Sequence, residues 1–142
     1  MTTIIRGLAA AAVLAGAAVG LASPSGADEV SGTYKYIAEN GGYAGSWSIT
    51  SCGPDCAAVQ TVEGWFFTAN AKLSGGRWNM TVEDPQGMVC SARDLANKYP
   101  IKVDYSWDAV TLQGTSTSTN PTGACGKPVG DVNTATFSLV KV

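Results

Sequence analysis

The stretch FTANAKLSGGRWNMTVE, residues 67–83, decides the fold. Phe67, Ala69, Ala71 and Leu73 fall on one face of an extended chain, with Thr68, Asn70 and Lys72 on the other. Alternation with a period of two belongs to a half-buried β-strand. Ser74-Gly75-Gly76 breaks the run, and RWNMTVE (77–83) begins a second one.

Moving outward in both directions, the same pattern recurs in TYKYIAE (33–39), GSWSITS (45–51), AAVQTVE (57–63), YPIKVDYSW (99–107), AVTLQGTSTS (109–118) and NTATFSLVKV (133–142). Turn-forming residues separate the runs: NGG (40–42), CGPDC (52–56), DPQG (84–87), NPTG (120–123) and GKPVG (126–130). Only SARDLANK (91–98) suits a helical turn, with Ser91 as N-cap and Asp94 three residues on. The expected fold is all-β, an antiparallel eight-stranded meander. A closed β-barrel of lipocalin or streptavidin size is preferred, because closure removes exposed edges and eight strands enclose an interior that is just filled or holds one small ligand. A two-layer β-sandwich is the alternative, since strand patterning does not separate the two.

The N-terminus reads MTTIIRGLAAAAVLAGAAVGLASPSGADEV, with one positive charge at Arg6, an apolar run from Gly7 to Ala22, and small residues after it. This is the plan of a secretory signal peptide, expected over residues 1–27, with cleavage after Ala27 or alternatively after Ala22. The run is short for a spanning helix and no stop-transfer pattern follows, so the expected product, residues 28–142, is one secreted β domain without a membrane span. No cysteine lies near either cleavage point, which argues against a lipid anchor. Loss of Arg6 makes the remainder one unit more negative than the −2 of the whole chain. Lys35, Lys72, Arg77, Arg93, Lys98, Lys102, Lys127 and Lys141 are scattered, whereas a nucleic-acid binder gathers its positive charge on one face.

Chemistry is constrained chiefly by what is missing. The chain has no histidine, which removes Ser-His-Asp and Cys-His catalysis, His-ligated zinc, and the usual proton shuttle near neutral pH. The element SCGPDCAA (51–58) looks like a thioredoxin motif with one residue too many, and no helix N-terminus is expected beside it to activate a thiol. Four thiolates from Cys52, Cys56, Cys90 and Cys125 would make an unusual metal site, with the last two 35 residues apart. In an oxidising compartment an even number of cysteines favours disulfides. Three pairings are open. The tight turn at Gly53-Pro54 favours Cys52 with Cys56, which leaves Cys90 with Cys125. No metal or cofactor is expected.

Carboxylates are the remaining catalytic candidates: Asp104 and Asp108 flank Trp107, and Glu83 adjoins Asp84. Paired carboxylates can serve a glycosidase, but turn positions account for Asp84 and Asp108, and no catalytic residue is assigned. Trp47, Trp65, Trp78 and Trp107 are the candidate ligand-binding residues, as stacking platforms for a sugar or acyl group. Core anchoring is the competing explanation. Asn79-Met80-Thr81 matches the N-glycosylation pattern, and GTSTSTNPTG (114–123) suits O-glycosylation or simply a polar strand end.

WSITSCGPDCAAV from Trp47, then GRWNM, VC, WDAVTLQG, ACG and the closing FSLVKV, resemble a group of small mycobacterial secreted proteins. Related segments are similar to extracytoplasmic, sensor-like domains of some mycobacterial serine/threonine kinases. The resemblance covers residues 31–142 and implies a stand-alone extracytoplasmic β domain. No nucleotide loop or kinase catalytic loop is present in the chain. The expected function is binding, without catalysis, of a small apolar ligand or a cell-envelope component. A protein-interaction module, with Arg77 and the NPTG turn as contacts, is the first alternative. A hydrolase using Asp104 or Asp108 is the second.

Overall fold

Each of the eight alternating segments becomes a strand in the computed structural model, which describes residues 30–142. In chain order these are β1 (Gly32–Ala38), β2 (Tyr43–Gly53), β3 (Cys56–Glu63), β4 (Thr68–Ser74), β5 (Arg77–Met88), β6 (Tyr99–Asp108), β7 (Gln113–Asn120) and β8 (Asp131–Lys141). The signal peptide expected over 1–27, with both of its cleavage points, lies outside the described residues. Every strand pairs antiparallel with the next, and β8 returns to pair with β1 from Tyr34↔Lys141 to Ala38↔Phe137. The meander is therefore a closed barrel, and the sandwich alternative is set aside.

The opening stretch forms the β4–β5 hairpin. Ser74 pairs with Arg77 across Gly75 (φ 58) and Gly76 (φ 76). Two consecutive left-handed residues make a turn of the primed type, whose twist matches that of the flanking strands. The β2–β3 hairpin closes over Pro54 and Asp55, the latter at φ 52, and the Cys52–Cys56 disulfide spans it with Cα atoms 5.0 Å apart.

Three sequence expectations are corrected. DPQG does not end β5: the register shifts between Asp84 and Met88, and the strand resumes against β6 at Met88↔Tyr99. Asp84 Oδ1 does accept from the Gln86 amide at 2.8 Å, but this local turn is absorbed as a bulge, a position that tolerates a proline without an N–H. SARDLANK forms no helix. Ser91 carries a single turn, with its Oγ accepting from Arg93 N at 3.2 Å and its carbonyl from Asp94 N at 3.0 Å. All eight residues are exposed, so no packed face offsets the cost of helix nucleation. Residues 109–112 form a turn, and β7 starts only at Gln113. A 3-10 turn at Ala124–Gly126 was not foreseen.

Residues directly opposite on antiparallel strands share a face. One inward row therefore runs Leu73, Trp78, Trp107, Gly114, Phe137. The next runs Met80, Tyr105, Ser116, Ala135, and a third Val82, Val103, Ser118, Asn133. Gly114 is required in the first row: a Cβ there would lie 2.5 Å from Phe137 Cζ and 2.7 Å from the Ser106 carbonyl. The glycine lets the Phe137 ring lie flat against the wall and fill the barrel. Outward positions on the same strands carry Thr81, Glu83, Lys102, Asp104, Thr115, Thr117 and Thr134. Apolar inside and polar outside is the reverse of a membrane-spanning barrel.

Candidate functional site

The two ends of the barrel differ. One end carries the tight β2–β3 and β4–β5 turns and the 109–112 turn between β6 and β7. Val30, 4% exposed, packs into the core at that end, where its carbonyl accepts from Tyr34 Oη at 2.8 Å. Ile49, Ala57, Val59, Ala71, Trp78 and Trp107 are fully buried. This end is closed. The other end carries the connections 39–42, 64–67, 89–98 and 121–130, and forms the mouth.

Of the four candidate tryptophans, Trp78 and Trp107 lie in the closed half, stacked at 6.5 Å and 25°. Both are fully buried and line no recess of the mouth. Trp47 and Trp65 do reach the mouth. Together with Tyr36, Phe67 and Tyr105 they line a recess of about 120 Å3, with Thr61 and Glu63 on its β3 side and Ala44 beside it. Trp47 meets Tyr105 edge-to-face at 5.3 Å and Phe67 at 5.7 Å, while Phe67 and Tyr105 stack at 5.8 Å. Trp65 packs on Phe67 at 5.3 Å. Sequence and topology explain the gathering. Trp65 and Phe67 continue the odd-numbered inward face of Ala69, Ala71 and Leu73 back beyond the start of β4, and closure brings them against β1, β2 and β6.

Most polar groups around the recess are already engaged. Thr61 Oγ1 accepts from Phe67 N at 2.7 Å and donates to Phe67 O at 3.2 Å. The Trp65 indole N–H donates to Asp84 Oδ2 at 2.9 Å. Glu63 accepts from the Tyr43 hydroxyl, and Tyr36 bonds the Ser116 hydroxyl. Burial raises the phenols of Tyr36 and Tyr105 above the ordinary tyrosine value, so both remain neutral well into the alkaline range. No lysine or arginine lines the recess.

The barrel interior is filled by rings, and this narrows the expectation of an enclosed apolar ligand: the space for one is the recess at the mouth. Several hollows are larger than the recess, and two of them bear on the choice of site. One, of about 260 Å3, lies beside the Cys90–Cys125 bridge and is lined by Ile101, Ser118, Lys127 and Asn133 among others. That bridge ties the 89–98 loop to the 121–130 loop with Cα atoms 5.2 Å apart. The other, of about 480 Å3, is a broad groove against Pro85, Pro100 and Pro121 with Glu83 and Lys102 on its sides. The groove is larger but lacks the convergent rings of the mouth, and a binding site needs shaped walls more than volume.

The residues named for the two alternatives lie in separate places. Asp104 faces outward, accepting from Thr81 Oγ1 at 2.5 Å with Lys102 Nζ at 3.6 Å. Asp108 ends β6 and accepts from the amides of Val110 and Thr111, both at 2.8 Å. Those amides, Thr111 first, hold its carboxyl below the usual aspartate value. The two carboxylates serve the wall and a turn, and do not converge on one space. Arg77 lies at the closed end, fastened to Ser106 by Nε at 2.9 Å and Nη2 at 3.0 Å. NPTG lies at the mouth, folded around Asn120, whose Oδ1 accepts from Gly123 N at 3.0 Å. These two do not share a surface. Asn79 is exposed on β5, with Nδ2 donating to Arg77 O at 3.0 Å. Among the described residues no group of acidic or cysteine side chains has the arrangement of a metal site.

Sequence reasoning missed Tyr36, Thr61, Glu63, Phe67 and Tyr105 as site residues. Following inward parity to the ends of each strand would have marked Phe67 and Tyr105. The meeting of β1, β3 and β6 at one mouth depends on closure. Compared with family models, curated proteins and solved structures, the chain has no match, and its site is read from its own geometry.

Proposed function

We propose that this chain is an exported, disulfide-stapled β domain that binds a small, largely apolar group of a cell-envelope ligand or partner in the mouth of its barrel, without catalysing a reaction. The observation that supports it is the asymmetry of the barrel: one end packed shut, the other retaining a ring-lined recess. Two disulfides and no free cysteine among the described residues agree with an oxidising compartment outside the cytoplasm. Kinship with the small mycobacterial secreted proteins and kinase sensor-like domains belongs to the same proposal, as does secretion.

Native mass spectrometry of the protein purified from its own culture medium tests this reading. The expected result is a retained non-covalent mass that is released on denaturation and lost in Trp65→Leu. Bare polypeptide in every preparation would sink the small-ligand form of the proposal. A second reading, docking of a protein side chain, is favoured by the exposure of Phe66 and Tyr43, 72% and 52%, on the segments flanking the recess. Cross-linking from position 66 in envelope extracts checks it, since a specific partner adduct is expected.

A further inference from the structure

The two mouth loops that the Cys90–Cys125 bridge ties together, 89–98 and 121–130, differ in charge from the rest of the barrel. They hold three basic side chains, Arg93, Lys98 and Lys127, and one acidic side chain, Asp94. The rest of residues 30–142 holds five basic and eight acidic ones, so a pair of loops of net charge +2 sits on a remainder of net charge −3. Asp94 is engaged within its own turn, its Oδ2 accepting from Asn97 Nδ2 at 2.8 Å, and Asp131 follows the second loop as the first residue of β8. Among the described residues the ion pair is Lys102 with Asp104, and it involves none of the three loop cations.

Bare apolar side chains stand on the same two loops. Leu95 is 61% exposed between Arg93 and Lys98, and Val129 is 73% exposed two residues beyond Lys127. The second loop is held from inside by buried Asn120, whose Nδ2 donates to Ala124 O at 2.8 Å and whose carbonyl accepts from Gly130 N at 2.8 Å. Through the disulfide the first loop is fastened to it, so little freedom is lost when the pair docks on something. A protein interface gathers its apolar groups into a core depleted of charge. Here each apolar side chain stands apart and is accompanied by a cation, which is the pattern of a bilayer interface: the apolar group enters the acyl boundary while the long basic side chains reach back to the headgroups. An anionic surface also turns the positive loops toward itself and the negative remainder away.

We propose that the stapled loops 89–98 and 121–130 dock this protein on the surface of an anionic lipid bilayer, with Leu95 and Val129 inserted at the interface and Arg93, Lys98 and Lys127 among the headgroup phosphates. No strand crosses the membrane; the mouth faces the lipid and the closed end points away from it. The inference goes beyond the ligand reading and holds whatever the recess contains.

The test is co-sedimentation of the folded protein with vesicles of equal parts phosphatidylglycerol and phosphatidylcholine and, in parallel, of phosphatidylcholine alone. Binding to the mixed vesicles is expected to be at least about tenfold tighter than to the neutral ones, and to weaken about tenfold when salt is raised from about 0.05 M to about 0.5 M. Leu95→Ser combined with Val129→Ser, both at exposed positions, should keep the fold and lower the affinity for the mixed vesicles at least about tenfold. Lys98→Gln combined with Lys127→Gln should lower it about tenfold as well, leaving the neutral vesicles unchanged. Val110→Ser, at a still more exposed apolar position of the closed end, should leave binding as it is. A spin-labelled lipid in the mixed vesicles should broaden the methyl NMR signals of Leu95 and Val129 and leave those of Val110 sharp. No sedimentation with the mixed vesicles overturns the proposal, and a specific protein cross-link from position 95 in that case gives the loops to a protein partner instead. Equal binding to neutral vesicles, undiminished binding of the double serine variant, or an equal loss in Val110→Ser overturns it too.

Discussion

The closed end and the mouth are built from the same eight strands, yet the first is packed shut and the second keeps a small recess. At the closed end two-residue turns hold β2 to β3 and β4 to β5, and Trp78, Trp107 and Phe137 fill the cross-section against Gly114. At the mouth the connections are longer, Trp47 and Tyr105 are buried, and only Tyr36, Trp65 and Phe67 are partly covered, with Trp65 bonded to Asp84. Short turns pull strand ends together until side chains interlock, whereas long connections leave room between them. The barrel thus concentrates its stability at one end and leaves exposed surface at the other.

Substitutions should respond to that division. Trp107→Ala removes a fully buried ring from the closed end and should cost about 3–5 kcal/mol, measured as a shift in the urea midpoint. A loss below about 1 kcal/mol would mean that the closed end is not the stabilising half. Replacing Cys90 and Cys125 together by serine should cost up to about 4 kcal/mol, because that bridge closes a long loop, and should broaden NMR signals of the mouth first. The matching change at Cys52 and Cys56 should cost about 2 kcal/mol and leave the mouth signals sharp.

Alkaline titration probes the phenols that face the mouth. Tyr36 and Tyr105 hold their protons above the ordinary value of 10.0 when folded, so folding favours their neutral form. Their contribution is complete below the unfolded value and is lost as pH rises through the folded values. The denaturation midpoint should be level from neutrality to about pH 9 and fall above about pH 10, with phenolate absorbance rising as structure is lost. Smallest is Trp65→Leu, which loses one half-exposed ring and its bond to Asp84; about 1 kcal/mol is expected, alongside complete loss of mouth binding. A large loss of stability there would erase the distinction between the two ends.

How much of this was legible in the sequence differs between the wall and the site. Alternation marked all eight strands because one face of each is buried, and parity alone carries that information. The end of DPQG as a strand boundary was not legible, because β6 supplies partners on both sides of the bulge and keeps Pro85 within β5. The tryptophans show the limit most clearly. Trp47, Trp78 and Trp107 occupy the same kind of position, an aromatic between polar neighbours, and parity places all three inside. Which end each faces depends on register around the closed ring, which no single segment records. Trp65 is the reverse case, a residue outside any strand that reaches the site because the inward face of β4 continues into its loop. The tight turn at Gly53-Pro54 favoured Cys52 with Cys56 and so Cys90 with Cys125, but the sequence left three pairings open, and the structure has that favoured set.

The pairing of β1 with β8 also sets an order of events. A chain made from its N-terminus has β1 in hand long before Asp131 begins its partner, and throughout that interval one side of β1 offers unsatisfied amides and carbonyls. A chain halted anywhere short of β8 keeps two such raw sides, each able to recruit strands from its neighbours. The last eleven-residue strand is thus what leaves the finished sheet without an open edge.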